Sequence, residues 1–343
     1  MAARKALVIG SNGLPQQLQA ADTLDGAGSG TPGGSTTQVQ YNNAGAFAGA
    51  TEVEIENGQL RLEVNAGQLA PAVNGVKLIG NPDAGRVVPA WLSAAGKIQE
   101  LQESLARSHS MLWAAVVNQN SFHLLGGTVG PTAVGTATAV AAIATTNYVS
   151  RVPRLEYLVT VAATTAIAGY RGTIQMVTVG GAGATEGGFV YISRWGPATG
   201  VATTTNRAFC GLRNIVSAST DVEFSTFINC VGMGWDAADA NIQMMHNDGT
   251  GTCTKINLGA SFPVPTVDRT SFHEIALYSP KGATQTIYYR VTDLVSGAVA
   301  SGTISTDMPT NTTLLAPCNY MSVGGTSSVV GIGVAKMYLD PLI

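Results

Sequence analysis

The densest group of chemically useful side chains in the sequence is Trp235-Asp236-Ala237-Ala238-Asp239-Ala240-Asn241, followed by His246-Asn247-Asp248. An aromatic face flanked by carboxylates and a planar amide suits sugars. The ring packs on C–H groups while the hydroxyls need paired polar partners. Tyr191-Ile192-Ser193-Arg194-Trp195, taken with Asn206, has the same composition. Trp235, Asp236, Asp239, Asn241, Tyr191 and Trp195 are therefore the glycan-binding candidates. A plainer reading competes at each. Asp236 and Asp239 sit in loop-like sequence, where Asp and Asn bond their own backbone and make turns. Trp and Tyr also fill sandwich cores.

No residue is assigned a catalytic role. Glycan cleavage needs two carboxylates across one sugar bond. The chain has 21 acidic residues, and those of the C-terminal region stand mostly alone at turns. No G-x-S-x-G is present, and His109, His123, His246 and His273 show no triad or ligand spacing. Gly180-Gly-Ala-Gly-Ala lacks the Lys-Ser/Thr ending of a phosphate loop. Cys210, Cys230, Cys253 and Cys318 form no CxxC pair. They read as buried reduced thiols, with no metal and no cofactor expected. Net charge is -3 with no basic run, so direct nucleic-acid binding has no electrostatic support. No stretch approaches the ~18 apolar residues of a membrane helix. Ala6–Ile9 is too short for the core of a secretory signal.

Charged residues make up 11% of the 343 residues, against roughly 25% in an ordinary globular chain. Apolar residues reach 45%, and there are 41 glycines. This suits mainly β structure with many turns, and a surface partly hidden in an oligomer. Three regions follow. Residues 1–88 open on a short strand and a Gly/Ser-rich connector at 25–35. They continue with the alternating run Glu52–Val64, whose Asn57-Gly58 is a strong hairpin signal. A lone hairpin cannot cover its apolar face, so this region calls for a partner. Residues 89–118 read as a short coiled-coil helix with Trp91, Ile98, Leu101, Leu105 and Leu112 on its seam. An ordinary amphipathic helix is the alternative. Residues 119–343 carry about a dozen short apolar or alternating runs bounded by Gly, Pro, Asn and Asp. That spacing predicts an antiparallel jelly-roll β-sandwich.

Thr31-Pro-Gly-Gly-Ser-Thr-Thr-Gln-Val-Gln-Tyr-Asn-Asn-Ala-Gly-Ala-Phe-Ala-Gly49 resembles a segment of phage tail and virion appendage proteins. The stretch Asn241–Gly259, and the run from Phe272 to Leu339, resemble the C-terminal β-sandwich domains of phage tail fibres. The resemblance implies a homotrimeric virion protein docked on other tail or baseplate proteins through residues 1–88. Its distal domain would contact host cell-surface glycan. The alternatives are a head, collar or baseplate fibre without receptor specificity, and a glycan-cleaving tail spike.

Overall fold

A computed structural model describes residues 7–9, 15–17, 38–43, 46–56, 59–62, 75–93, 98–100, 111–114, 122–124, 127–129, 132–142, 144–181, 187–280 and 285–341. The chain divides into two compact units, Met1–Asn81 with Pro89–Glu100, and Pro82–Val88 with Leu101–Ile343.

In the first unit, Ala46–Glu56 pairs antiparallel with Gln59–Leu62, in the register Val53↔Leu62 and Ile55↔Leu60. The two-residue connection is the one that Asn57-Gly58 predicts. Gln38–Asn43 adds a third strand to this sheet. Ile55 remains 46% exposed, so its face is open within the unit.

The described residues of 89–118 form no helix. Arg86–Ser93, Ile98–Glu100 and Met111–Ala114 are strands, which places Trp91, Ile98 and Leu112 in β structure. Leu101 and Leu105 lie outside the described residues. The reason is legible in Val87–Leu92. Val88, Ala90 and Leu92 are buried while Val87, Pro89 and Trp91 are exposed, a period of two rather than 3.6. Ala84 and Gly85, both at positive φ (42° and 76°), turn the chain just before this strand. Two such angles are what a tight hairpin turn requires.

From Thr132 onward, the described residues of the second unit form fourteen strands. In chain order they are β1 (Thr132–Val134), β2 (Thr136–Val140), β3 (Arg154–Ala163), β4 (Ile167–Arg171), β5 (Phe189–Thr199), β6 (Arg207–Arg213) and β7 (Cys230–Trp235). There follow β8 (Gln243–Asn247), β9 (Thr254–Asn257), β10 (His273–Ser279), β11 (Ile287–Asp293), β12 (Val299–Ile304), β13 (Ala316–Ser322) and β14 (Ser328–Pro341). A single helical turn, α1 (Tyr148–Arg151), precedes β3 and is capped by Asn147.

These strands form two antiparallel sheets. One runs β1-β4-β13-β6-β7-β8-β9. The other runs β2-β3-β14-β5-β10-β11-β12, with Met111–Ala114 beside the C-terminal end of β14 and Phe122–Leu124 and Gly127–Val129 following it outward. The sheets pack face to face over one apolar core containing Tyr191, Trp195, Ile275 and Leu277 from the second and Cys210, Val231, Met233 and Trp235 from the first. The antiparallel sandwich predicted for this region is present.

The apolar run Val222–Val231 is not one strand. Phe224–Thr226 is a turn of 3-10 helix, and the strand begins only at Cys230. Residues 172–176 likewise are not strand.

The segment 214–229 lies across the outer face of the first sheet and gives it a second core. Phe224 and Phe227 come from the segment, and Phe209, Cys230, Met245, Cys318 and Tyr320 from the sheet beneath. Phe227 meets Phe224 at 5.1 Å and Phe209 at 5.4 Å between ring centroids, both edge-on. Edge-to-face geometry is favoured by the ring quadrupoles. A Cβ at Gly232 would lie 2.7 Å from Phe209 Cζ and 2.4 Å from the Cys210 carbonyl, so only glycine lets this layer settle on the sheet.

Candidate functional site

The sequence-derived aromatic candidates belong to the core. Tyr191, Trp195 and Trp235 are each fully buried. Trp195 and Trp235 stack across the two sheets, with centroids 5.8 Å apart and planes 15° apart. Trp235 Nε1 donates to Asn206 Oδ1 at 2.7 Å, and the Tyr191 hydroxyl lies 3.6 Å from Cys210 Sγ. None of the three rings presents a face to a sugar. An alternation of large aromatics in a two-sheet fold marks the inner faces first, and that is where these side chains are.

Asp236 and Asp239 do come together, on a partner that spacing does not reveal. Lys255 Nζ sits 2.8 Å from Asp236 Oδ2 and 2.7 Å from Asp239 Oδ2. Asp236 also accepts from Ser225 N at 3.2 Å, and Asp239 accepts from Asp236 N at 2.8 Å. Burial raises the Asp236 carboxyl, but the hydrogen bonds from Lys255 and Ser225 outweigh it and hold the group below its ordinary range. The backbone turns between the two, with Asp239 N donating to the Asp236 carbonyl at 3.1 Å. Asn241 is half-buried, and its carbonyl accepts from Gln243 Nε2 at 2.9 Å. Beside this turn, Arg207 bridges Asp221 (3.2 Å) and Glu223 (3.0 Å). These ion pairs fasten the segment 219–226 to the sheet.

That fastening shapes an open groove of about 270 Å3 next to it. Hydroxyl-bearing Ser217, Ser219, Thr220 and Thr226 line it with Ile215, Val222, Phe227 and Arg213. The guanidinium carbon of Arg213 lies 3.6 Å from the centroid of the Phe227 ring, a close cation–π contact. Arg213 Nε is buried without a hydrogen-bond partner. Leaving a buried donor unpaired costs about 1–3 kcal/mol. Several bonds hold the groove's wall. Asn214 N donates to Asn229 O at 3.1 Å, and Cys253 N to Ser225 O at 2.7 Å. The Tyr320 hydroxyl donates to Ser217 O at 3.5 Å, and Arg171 Nη1 donates to the Val216 carbonyl.

Sequence reasoning missed this groove. Its one signal is the small polar run Ser217-Ala218-Ser219-Thr220 between two strands. Arg213 and Phe227 become neighbours only because the segment folds back over β6.

All four cysteines are buried free thiols, as expected from their spacing. Cys230 and Cys253 bring their sulfurs to 3.5 Å. Burial pushes the Cys210 and Cys318 thiols up to about 12, far from nucleophilic reactivity. His246 Nδ1 lies 2.7 Å from the Asp307 carbonyl, and His273 is buried on the opposite sheet. Among the described residues, no group of three His, Cys, Asp or Glu could hold a metal ion. No helix among them is long and apolar enough to cross a membrane.

No protein-family model and no curated protein matches the chain. Solved structures of similar fold include peanut lectin with a 9mer peptide. The likeness covers 69% of this chain and 98% of that one, at 8% identity and a TM-score of 0.43. Lectin II from Ulex europaeus is similar over 68% and 98%, at 9% identity and a TM-score of 0.42. The CBM2 module of the evolved Dit of Lactobacillus casei BL23 phage J-1 is similar over 68% and 96%, at 12% identity and a TM-score of 0.37. With TM-scores below 0.5, none of these likenesses bears on what this chain binds.

Proposed function

We propose that this chain is a non-enzymatic, homotrimeric appendage subunit of a phage-type virion whose sandwich unit binds cell-surface glycan. The observation that carries the reading is the groove over β6. It is open, rich in hydroxyl-bearing residues and held rigid by its own hydrogen bonds, and it contains an aromatic-stacked guanidinium. Carbohydrate sites combine an apolar face with a few fixed polar groups in this way. The resemblance of residues 31–49 to virion appendage proteins supports the attachment role of the N-terminal region. Val76, Leu78, Trp91 and Ile98 stand exposed in the first unit, which suits coverage by further copies or by a docking protein.

Three weak sites on one trimer engage a repetitive surface far more strongly than one site alone. The test is adsorption of the purified full chain to bacterial cells, with competition by their free surface polysaccharide. Saturable adsorption that the free glycan competes away is expected. Release of reducing ends from that polysaccharide contradicts the non-enzymatic reading, and absence of adsorption to every strain tried contradicts glycan binding. Sedimentation is expected to give three times the 35.2 kDa chain mass; a monomer at micromolar concentration contradicts the trimer.

A further inference from the structure

Arg213 stands apart from the other arginines of the sandwich. Arg154, Arg194, Arg207 and Arg269 each sit on a carboxylate. Arg151 and Arg171 donate to the Thr145 and Val216 carbonyls. Among the described residues, Arg213 meets no carboxylate; its guanidinium lies on the ring of Phe227, and its Nε is enclosed without an acceptor. No Asp or Glu lines the groove it faces. Arg171, bonded to the adjacent Val216, adds a second positive charge to the same segment. Charge is scarce in this chain, at 11%, and beside this segment Arg207 and Lys255 each sit between two carboxylates. The groove keeps a cation with no carboxylate among its lining residues.

We propose that the groove takes a carboxylate-bearing sugar, a uronic or nonulosonic acid residue of a polysaccharide, with its carboxylate on Arg213. The inference rests on the glycan-binding reading above and deepens it. With its carbon over the Phe227 ring and its Nε enclosed, the guanidinium has its Nη1/Nη2 edge left to meet a carboxylate with two parallel hydrogen bonds. The stacking fixes the fork in advance, which lowers the ordering cost of binding. The hydroxyls of Ser217, Ser219, Thr220 and Thr226 supply donors and acceptors for ring hydroxyls, and Val222 supplies apolar contact. At about 270 Å3 the space lies just below the range of drug-sized sites. That is suited to one sugar residue and more than a lone inorganic anion needs.

The test compares a uronate-containing polysaccharide, its carboxyl-reduced counterpart and inorganic phosphate by calorimetry with the full chain. Acidic glycan is expected to bind at least tenfold more tightly than the reduced form, with the advantage shrinking as salt rises. Arg213→Gln is expected to bring the two glycans to equal, weak affinity, and Arg213→Lys to restore part of the difference. Thr220→Trp, at an exposed position on the rim, blocks the groove while leaving Arg213 in place, and is expected to abolish binding of both. Equal affinity of the unaltered chain for both glycans overturns the acidic-sugar inference and leaves the glycan reading standing. Phosphate binding as tightly as the acidic glycan, lost in Arg213→Gln, overturns the sugar specificity. No binding of any polysaccharide overturns the reading on which the inference rests.

Discussion

Arg213 and Phe227 lie fourteen positions apart in the chain and are stacked at 3.6 Å, one projecting from the end of β6 and the other from the segment that folds back over it. The pair separates two roles. Phe227 belongs to an aromatic cluster with Phe209, Phe224 and Tyr320, whereas Arg213 faces the groove. Phe227→Ala is expected to destabilise the sandwich by about 3–5 kcal/mol, the usual cost of deleting a buried aromatic. Arg213→Gln is expected to cost no more than about 2 kcal/mol, the upper end of a desolvated cation–π contact. Urea denaturation of the two variants checks the contrast.

Glu156 is the centre of a buried ion pair. Its carboxylate meets Arg154 and Arg269 at 2.7 and 2.8 Å. Burial raises the Glu156 carboxyl, but hydrogen bonds from Arg269 and Arg154 overcome that and lower it. A carboxyl lowered in the folded state contributes stability above its unfolded value, near 4.3. That stability is lost as pH falls through the folded value. Denaturation midpoints are expected to drop below pH 4 in the unaltered chain and to depend less on pH in Glu156→Gln. That variant is already weakened by about 3–5 kcal/mol near neutrality, because Arg154 is left buried and uncompensated.

His273 titrates in a different window. Burial lowers it to about 4, against the opposing charge of Asp293. The folded state then holds a neutral imidazole while the unfolded chain takes up a proton below its ordinary value of about 6.5. Stability is expected to fall between pH 6.5 and 4 by up to about 3 kcal/mol, and His273→Gln is expected to flatten that slope. An unchanged slope in the variant would show that the imidazole is not what titrates.

The thiols offer a chemical probe of the two cores. Cys210 and Cys318, with thiols near 12, are expected to resist alkylation at pH 8 in the native chain. All four cysteines should react in denaturant. Rapid native labelling would indicate that the layer over the outer face of the sheet opens readily.

The sequence made some of this plain and hid the rest for physical reasons. The hairpin at residues 46–62 follows from Asn57-Gly58 and strict alternation, both local signals. The sandwich follows from many short strands at regular spacing. Apolar residues at heptad spacing predict a helix in residues 89–118, while Val87–Leu92 alternates with a period of two and includes Pro89. Trp195 and Trp235 have the composition of a sugar platform, yet face each other inside the core. Composition does not tell an inner sheet face from an outer one. The groove depends on a second apolar layer over the first sheet. Its trace is the unbroken burial of Ala208–Leu212 and Ala316–Ser322, the pattern of strands covered on both faces. Which segment supplies that cover is a long-range fact that no local pattern encodes.

The most direct test of the central claim is equilibrium binding of the full chain and of Thr220→Trp to a panel of bacterial surface polysaccharides. Saturable binding to at least one of them by the unaltered chain is expected, lost when the tryptophan fills the groove while the thermal melting profile is unchanged. Undiminished binding by Thr220→Trp, or binding to none by the unaltered chain, would contradict the claim.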